Sequence, residues 1–128
     1  MSNKFVDYGS IYRSFWRILT IAYKRFLASG KDSVSAYGSI QHFREQQSFW
    51  LEDYSLFMAL KSQYNGSCWT DWPTKYRNYI TAHKQERTQE LDDAIDAQVF
   101  YQYLFYAQFD RLHRYCDLNG IKIMGDVP

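Results

Sequence analysis

The chain has 128 residues, enough for one domain with a real core. Hydrophobic residues at 46% and charged residues at 23% exclude a disordered chain, and a net charge of +1 leaves no electrostatic case for nucleic acid. The outlier is the aromatic content of 20%, with 12 Tyr, 9 Phe and 4 Trp, rings that bring large buried area and also stack on sugar faces.

The N-terminal Met1-Ser2-Asn3-Lys4-Phe5-Val6 has no apolar stretch of the kind a secretory signal carries. No uncharged apolar run approaches the ~20 residues that span a bilayer, so a cytoplasmic protein with no membrane partner is expected. Cys68 and Cys116 lack C-x-x-C spacing and the three His are dispersed, which is no metal signature; neither metal nor cofactor is expected. Two unpaired, buried thiols in a reducing compartment are expected, with a single disulfide as the alternative.

The first predicted element runs from Ser10 to Ser29. Ile11, Phe15, Ile18, Leu19, Ala22, Tyr23, Phe26 and Leu27 recur at three- and four-residue steps as one apolar stripe, and Gly30 sits where a left-handed helix terminator belongs. A second, weakly amphipathic helix is predicted over Ser35 to Gln47, interrupted by Gly38. A third covers Phe49 to Gln63, with Trp50, Tyr54, Phe57, Met58 and Lys61 on one face and Leu51 and Leu60 widening it. Asn65-Gly66 is a turn dipeptide. After an aromatic loop from Ser67 to Trp72, Asp71 is placed to cap a short polar helix that holds Pro73 in its first turn and ends near Tyr79.

The last helix, Thr88 to Leu118, contains no Gly or Pro, and Leu91, Ile95, Val99, Tyr103, Leu104, Ala107, Leu112 and Tyr115 keep its period. About 31 residues at 1.5 Å rise give about 46 Å, whereas a compact globule of this length is roughly 36 Å across. The helix must bend or pack on something else. Gly120 closes it, and Ile121 to Met124 reads as a short strand followed by Gly125-Asp126-Val127-Pro128, the grammar of an α/β unit. A lone strand leaves its backbone groups without ladder partners, so its neighbours are expected in sequence outside these residues.

Trp50-Leu51-Glu52-Asp53-Tyr54-Ser55-Leu56-Phe57-Met58-Ala59-Leu60-Lys61 resembles the W-L-x-D-Y-x-L-F-x-A-L-K signature of glycoside hydrolase family 77, the amylomaltases. Trp69 with Asp71-Trp72-Pro73 resembles the family's W-x-x-W-P segment. Gln102 to Phe109 resembles its Q-x-x-F-x-x-Q-W helix, with Phe109 where Trp is usual. Ile121 to Pro128 resembles its I-x-I-x-G-D-L-P-I strand, with Val127 for Leu. Val6-Asp7-Tyr8-Gly9 is similar to the family's approach to this region. Four of these pieces stand in the family's order, and the resemblance runs over nearly the whole chain.

The resemblance implies a mainly α chain: a helical insert over residues 1–87, then a long helix and barrel strand over 88–128, one α/β unit of a (β/α)8 barrel. It implies transfer of α-1,4-glucan segments with retention, which needs two carboxyl groups about 5–5.5 Å apart. By the same resemblance the nucleophilic Asp, the acid/base Glu and a further Asp lie beyond Pro128, so no catalytic residue is expected here and the chain alone should be inactive. Asp126 is implied as a substrate-positioning residue at the C-terminal end of a barrel strand, the alternative being a turn residue.

The chain's own carboxylates read as structural. Glu52 and Asp53 are neighbours on a helix and point apart. Asp92, Asp93 and Asp96 suit the helix start, and Asp110 and Asp117 alternate with Arg111, Arg114 and Lys122 as on a solvated face. Trp69 and Trp72 are candidates for a glucan path or for core. His42, His83 and His113 show no partner in sequence and read as structural or surface residues. A free-standing helical interaction module is the alternative to a glucanotransferase piece, and uncovered apolar faces would make the piece prone to self-association.

Overall fold

The computed structural model describes residues 5–34 and 37–125. Five α-helices follow in order: α1 (Tyr8–Ala28), α2 (Ile40–Gln46), α3 (Leu51–Gln63), α4 (Tyr79–His83) and α5 (Gln89–Leu118). Two 3-10 turns, Trp69–Asp71 and Thr74–Tyr76, link α3 to α4. No described helix is long and apolar enough to cross a membrane.

Four of the five helices begin where a side chain can satisfy free N–H groups; α3, which starts after Trp50, has no such cap. Asp7 accepts from the Ser10 N–H at 3.0 Å, and the Ser10 hydroxyl and N–H together hold its carboxyl below the usual range. Ser39 caps α2, Asn78 caps α4 and Thr88 caps α5. Asp71 does not cap a helix as its spacing suggested; it ends the first 3-10 turn. Pro73 is extended, and the helix begins only after Asn78. The second helix is shorter than expected, because Gly38 takes φ +76° and Ser39 is the cap that follows it.

The core lies between α3, α4 and the first half of α5. Leu56, Ala59 and Leu60 pack with Trp72, Tyr76, Ala82, Leu91 and Ile95. The buried side of α3 is therefore Leu51, Ser55, Leu56, Ala59 and Leu60, whereas Phe57 and Lys61, read as part of one face with Trp50, Tyr54 and Met58, are exposed. Apolar residues surround α3 on all sides, so periodicity alone could not choose the buried face. A second aromatic cluster forms where α1 meets α5: the Tyr23 and Phe26 rings lie 5.4 and 4.8 Å from that of Phe100. Tyr103 then ties down the connection before α2. Its hydroxyl accepts from the Val34 N–H at 2.9 Å and donates to the Gly38 carbonyl at 2.6 Å. Arg44 of α2 pairs with Glu52 of α3 and with Asp96 of α5.

α5 is a continuous helix of 30 residues, about 45 Å long. Leu91, Ile95, Gln98, Val99, Phe100 and Tyr103 are buried, but beyond Tyr103 only Cys116 is. Phe105, Phe109, Leu112, Tyr115 and Leu118 stand in solvent. So does much of α1, whose stripe splits: Leu19, Ala22, Tyr23 and Phe26 are half-buried, while Ile11, Phe15, Ile18 and Leu27 are exposed. The accessible surface is 10007 Å², against roughly 7,200 Å² for a compact monomer of this mass. Large apolar faces thus lack a partner within the described residues.

The expected strand is not formed. Gly120 adopts φ +68° and the Ile121 N–H reaches back to the Cys116 carbonyl at 2.9 Å, closing α5. From Ile121 to Gly125 the chain has no regular structure and is exposed. No other described segment offers an edge to pair with it, and a strand without a ladder has nothing to hold it. The thiols also differ from expectation in one respect. Both are free, but Cys116 is buried and Cys68 is exposed.

Trp72 is 2% exposed and its indole N–H is buried without a partner. Trp72→Ala should cost about 3–5 kcal/mol in denaturant unfolding. Trp72→Phe should cost far less, because it removes the unpaired donor together with part of the ring. Burial, then the charges of Asp96 and Asp93, push the Tyr23 phenol up to about 12. The unfolded chain releases that proton near pH 10, so stability should fall as pH rises from about 10 to 12. Tyr23→Phe should flatten part of that fall in thermal melts across the range. Hydrogen bonds from the Thr70 hydroxyl and N–H hold the Cys68 thiol below its ordinary value. Mass-resolved alkylation at neutral pH should modify Cys68 at least about tenfold faster than buried Cys116.

Candidate functional site

One concavity lies between α3, the two 3-10 turns and α4, with a volume of about 330 Å³. Its floor is core: Leu56, Leu60, Trp72, Tyr76 and Ala82. Its rim carries the half-exposed or exposed rings of Phe57, Trp69 and Tyr79. Polar groups enter from three elements. Asp53 comes from the exposed side of α3, His83 from the last residue of α4, and Arg77 from the residue after the second 3-10 turn.

His83 Nε2 lies 3.1 Å from Asp53 Oδ1, and the Tyr79 ring stands 4.5 Å from the imidazole. Arg77 donates through Nε to the Trp72 carbonyl. His83, expected to have no partner, therefore has one. The pair joins residues distant in sequence through the turn-rich link between α3 and α4, and no local spacing announces it. The other histidines match their surface reading: His42 is exposed, and His113 pairs with Asp117 one turn along α5 at 3.1 Å.

The two tryptophans of the loop have separate fates. Trp72 is core and contacts Phe57 and Tyr64 at ring separations of 5.3 and 5.9 Å. Trp69, 50% exposed, stands on the rim and enters no ring pair among the described residues. The motif alone treated them alike; the 3-10 turn between them sends one ring inward and the other outward.

The arrangement binds more readily than it reacts. Asp53 is the one carboxylate among the described residues lining the cleft, and neither Ser nor Cys lies beside the Asp53–His83 pair. Retaining glycosyl transfer needs two carboxylates facing one bond. Elsewhere several acids have partners: Glu52 and Asp96 pair with Arg44, Asp92 with Arg87, Asp93 with Gln89, and Asp110 with Arg114. Glu52 and Asp53 point to different partners, as adjacent helical residues must. No group of three or more metal-ligating side chains occurs among the described residues. Asp126, put forward as a substrate-positioning residue, lies outside the described residues.

A second concavity of about 530 Å³ lies between Tyr12 and Trp16 of α1, Met58 and Ser62 of α3, and Gln98 and Tyr101 of α5. It holds no carboxylate or imidazole among the described residues.

The sequence profile of a family described as 4-alpha-glucanotransferase matches residues 1–128. A 4-alpha-glucanotransferase of Thermus thermophilus is 36% identical over 123 residues, 96% of this chain and 24% of that protein. One from Clostridium butyricum is 31% identical, covering 99% of this chain and 25% of the relative. A potato (Solanum tuberosum) relative named as chloroplastic/amyloplastic is 34% identical over 96% of this chain and 21% of its own length. The chain thus spans about a quarter of the length of these relatives. With a match across every residue, the chain belongs to the 4-alpha-glucanotransferase family.

Proposed function

We propose that this chain is the helical part of a 4-alpha-glucanotransferase that moves α-1,4-glucan segments between maltooligosaccharides by retaining double displacement. The observation that carries the reading is the family match over residues 1–128, beside relatives about four times as long. The carboxylate pair of such an enzyme belongs, on this reading, to sequence beyond these residues. Residues 1–87 form a helical insert, and residues 88–128 lead into the first strand of the catalytic barrel that this chain supplies. Ile121 to Met124 becomes that strand once neighbouring strands give it a ladder, and Asp126 then stands at its C-terminal end among the substrate-positioning residues.

The bare faces of α1 and distal α5 support this assignment. Ile11, Phe15 and Ile18 on one helix, and Phe105, Phe109 and Leu112 on the other, are the kind of surface that a barrel wall buries. In isolation the same faces favour self-association. A free-standing interaction module explains the helices but not the ordered match to a transferase family. The enzyme works in the cytoplasm on soluble glucans, without metal or organic cofactor.

Glucose release from maltotriose tests the reading. The 128-residue chain should show no turnover, and a polypeptide extended to include the nucleophilic Asp, the acid/base Glu and the rest of the barrel should disproportionate the sugar. Robust turnover by the 128 residues alone would place the chemistry inside them and defeat the proposal.

A further inference from the structure

We propose that the cleft between α3 and α4 is a carbohydrate-binding subsite of its own, holding one or two glucosyl rings against Trp69. Its ligand class rests on the transferase reading above, whereas its location rests on the geometry alone. The cleft's volume of about 330 Å³ sits at the small end of the ~300–1,000 Å³ typical of ligand pockets, which limits the occupant to a short saccharide.

Three features select a neutral sugar. Trp69 offers an open ring face: it is half exposed, pairs with no other ring among the described residues, and its backbone is held in a 3-10 turn. Such a face suits the C–H side of a pyranose. The polar edge then matches hydroxyls in both senses. Asp53 accepts through its second oxygen, the remaining guanidinium nitrogens of Arg77 donate, and His83, its Nε2 turned to Asp53 at 3.1 Å, leaves Nδ1 to accept. Finally, the one carboxylate in the cleft is matched by one guanidinium, so their charges favour neither a phosphate nor a cation. Apolar rings with a few convergent polar groups are the usual composition of a small-molecule site.

The cleft lacks a second carboxylate, so it holds glucan without cutting it. It would keep a donor or acceptor chain close to the enzyme between transfers and raise the local concentration of chain ends.

Amide NMR of the 128-residue chain during a maltotriose titration tests the site. Expected are saturable shifts of the Trp69 indole N–H and of the Ala82 and His83 amides. Followed at Ala82, Trp69→Ala and Asp53→Asn should each weaken binding roughly tenfold; both residues are exposed, so the fold should survive. Phe105→Ala, on distal α5, should bind as the parent does. If the isolated chain self-associates, the same titration is read from fluorotryptophan at position 69 in the extended polypeptide. Absent shifts, shifts confined to residues outside the cleft, or undiminished binding by Trp69→Ala would each overturn the proposal. Turnover of maltotriose by the extended polypeptide without cleft shifts would sink this subsite and leave the transferase reading standing. Cleft shifts without turnover would do the reverse.

Discussion

Leu56, Ala59 and Leu60 of α3 close against Leu91 and Ile95 of α5, and the rest of the molecule hangs from that contact. Each of the Leu and Ile side chains here contributes about 1.5–3 kcal/mol when fully buried. An exposed ion pair such as Arg114–Asp110 contributes at most about 1 kcal/mol. Burial therefore decides which helices meet, and the ion pairs only trim the orientation. Once α3 and α5 are joined, Trp72 and Tyr76 are drawn under them, α4 is brought up through Ala82, and the Asp53–His83 pair forms across the gap that remains. The cleft follows from the core: its floor is the core's outer surface.

The same contact leaves half of α5 without cover. Past Tyr103 the helix continues because nothing in its sequence stops it, with neither Gly nor Pro before Gly120. Its exposed rings stack on one another instead, Phe105 on Phe109 at 5.8 Å with planes 13° apart. This partial shielding does not replace a packed face. An accessible surface well above that of a compact monomer, with α1 bare on its outer side, describes a set of helices shaped to lie against something large. Membership of a family whose relatives are about four times as long supplies a physical reason for that shape.

The site was legible only in part. Trp69 and Trp72 stood out by residue type, and both border the cleft, but their motif spacing treated them as equivalent; the turn geometry separated a core ring from a rim ring. Asp53 was set aside on a correct argument, that it cannot face the same bond as Glu52. That argument could not reveal its partner, because His83 comes to it through a loop, two 3-10 turns and a short helix whose course depends on Trp72 finding the core. Arg77 carried no signal at all until its Nε met the Trp72 carbonyl.

Local rules in the sequence account for most helix limits, though not for the start of α3 or for Asp71. Capping oxygens at Asp7, Ser39, Asn78 and Thr88, and left-handed glycines at Gly30 and Gly120, act within a few residues of themselves. The motif order likewise established the family without any geometry. Tertiary structure alone decided which side of α3 goes inward, since apolar residues surround that helix, and how α1's stripe divides between partner and solvent. It also decided that Ile121 to Met124 stays unpaired, because a strand is a property of two segments and local propensity cannot supply the second.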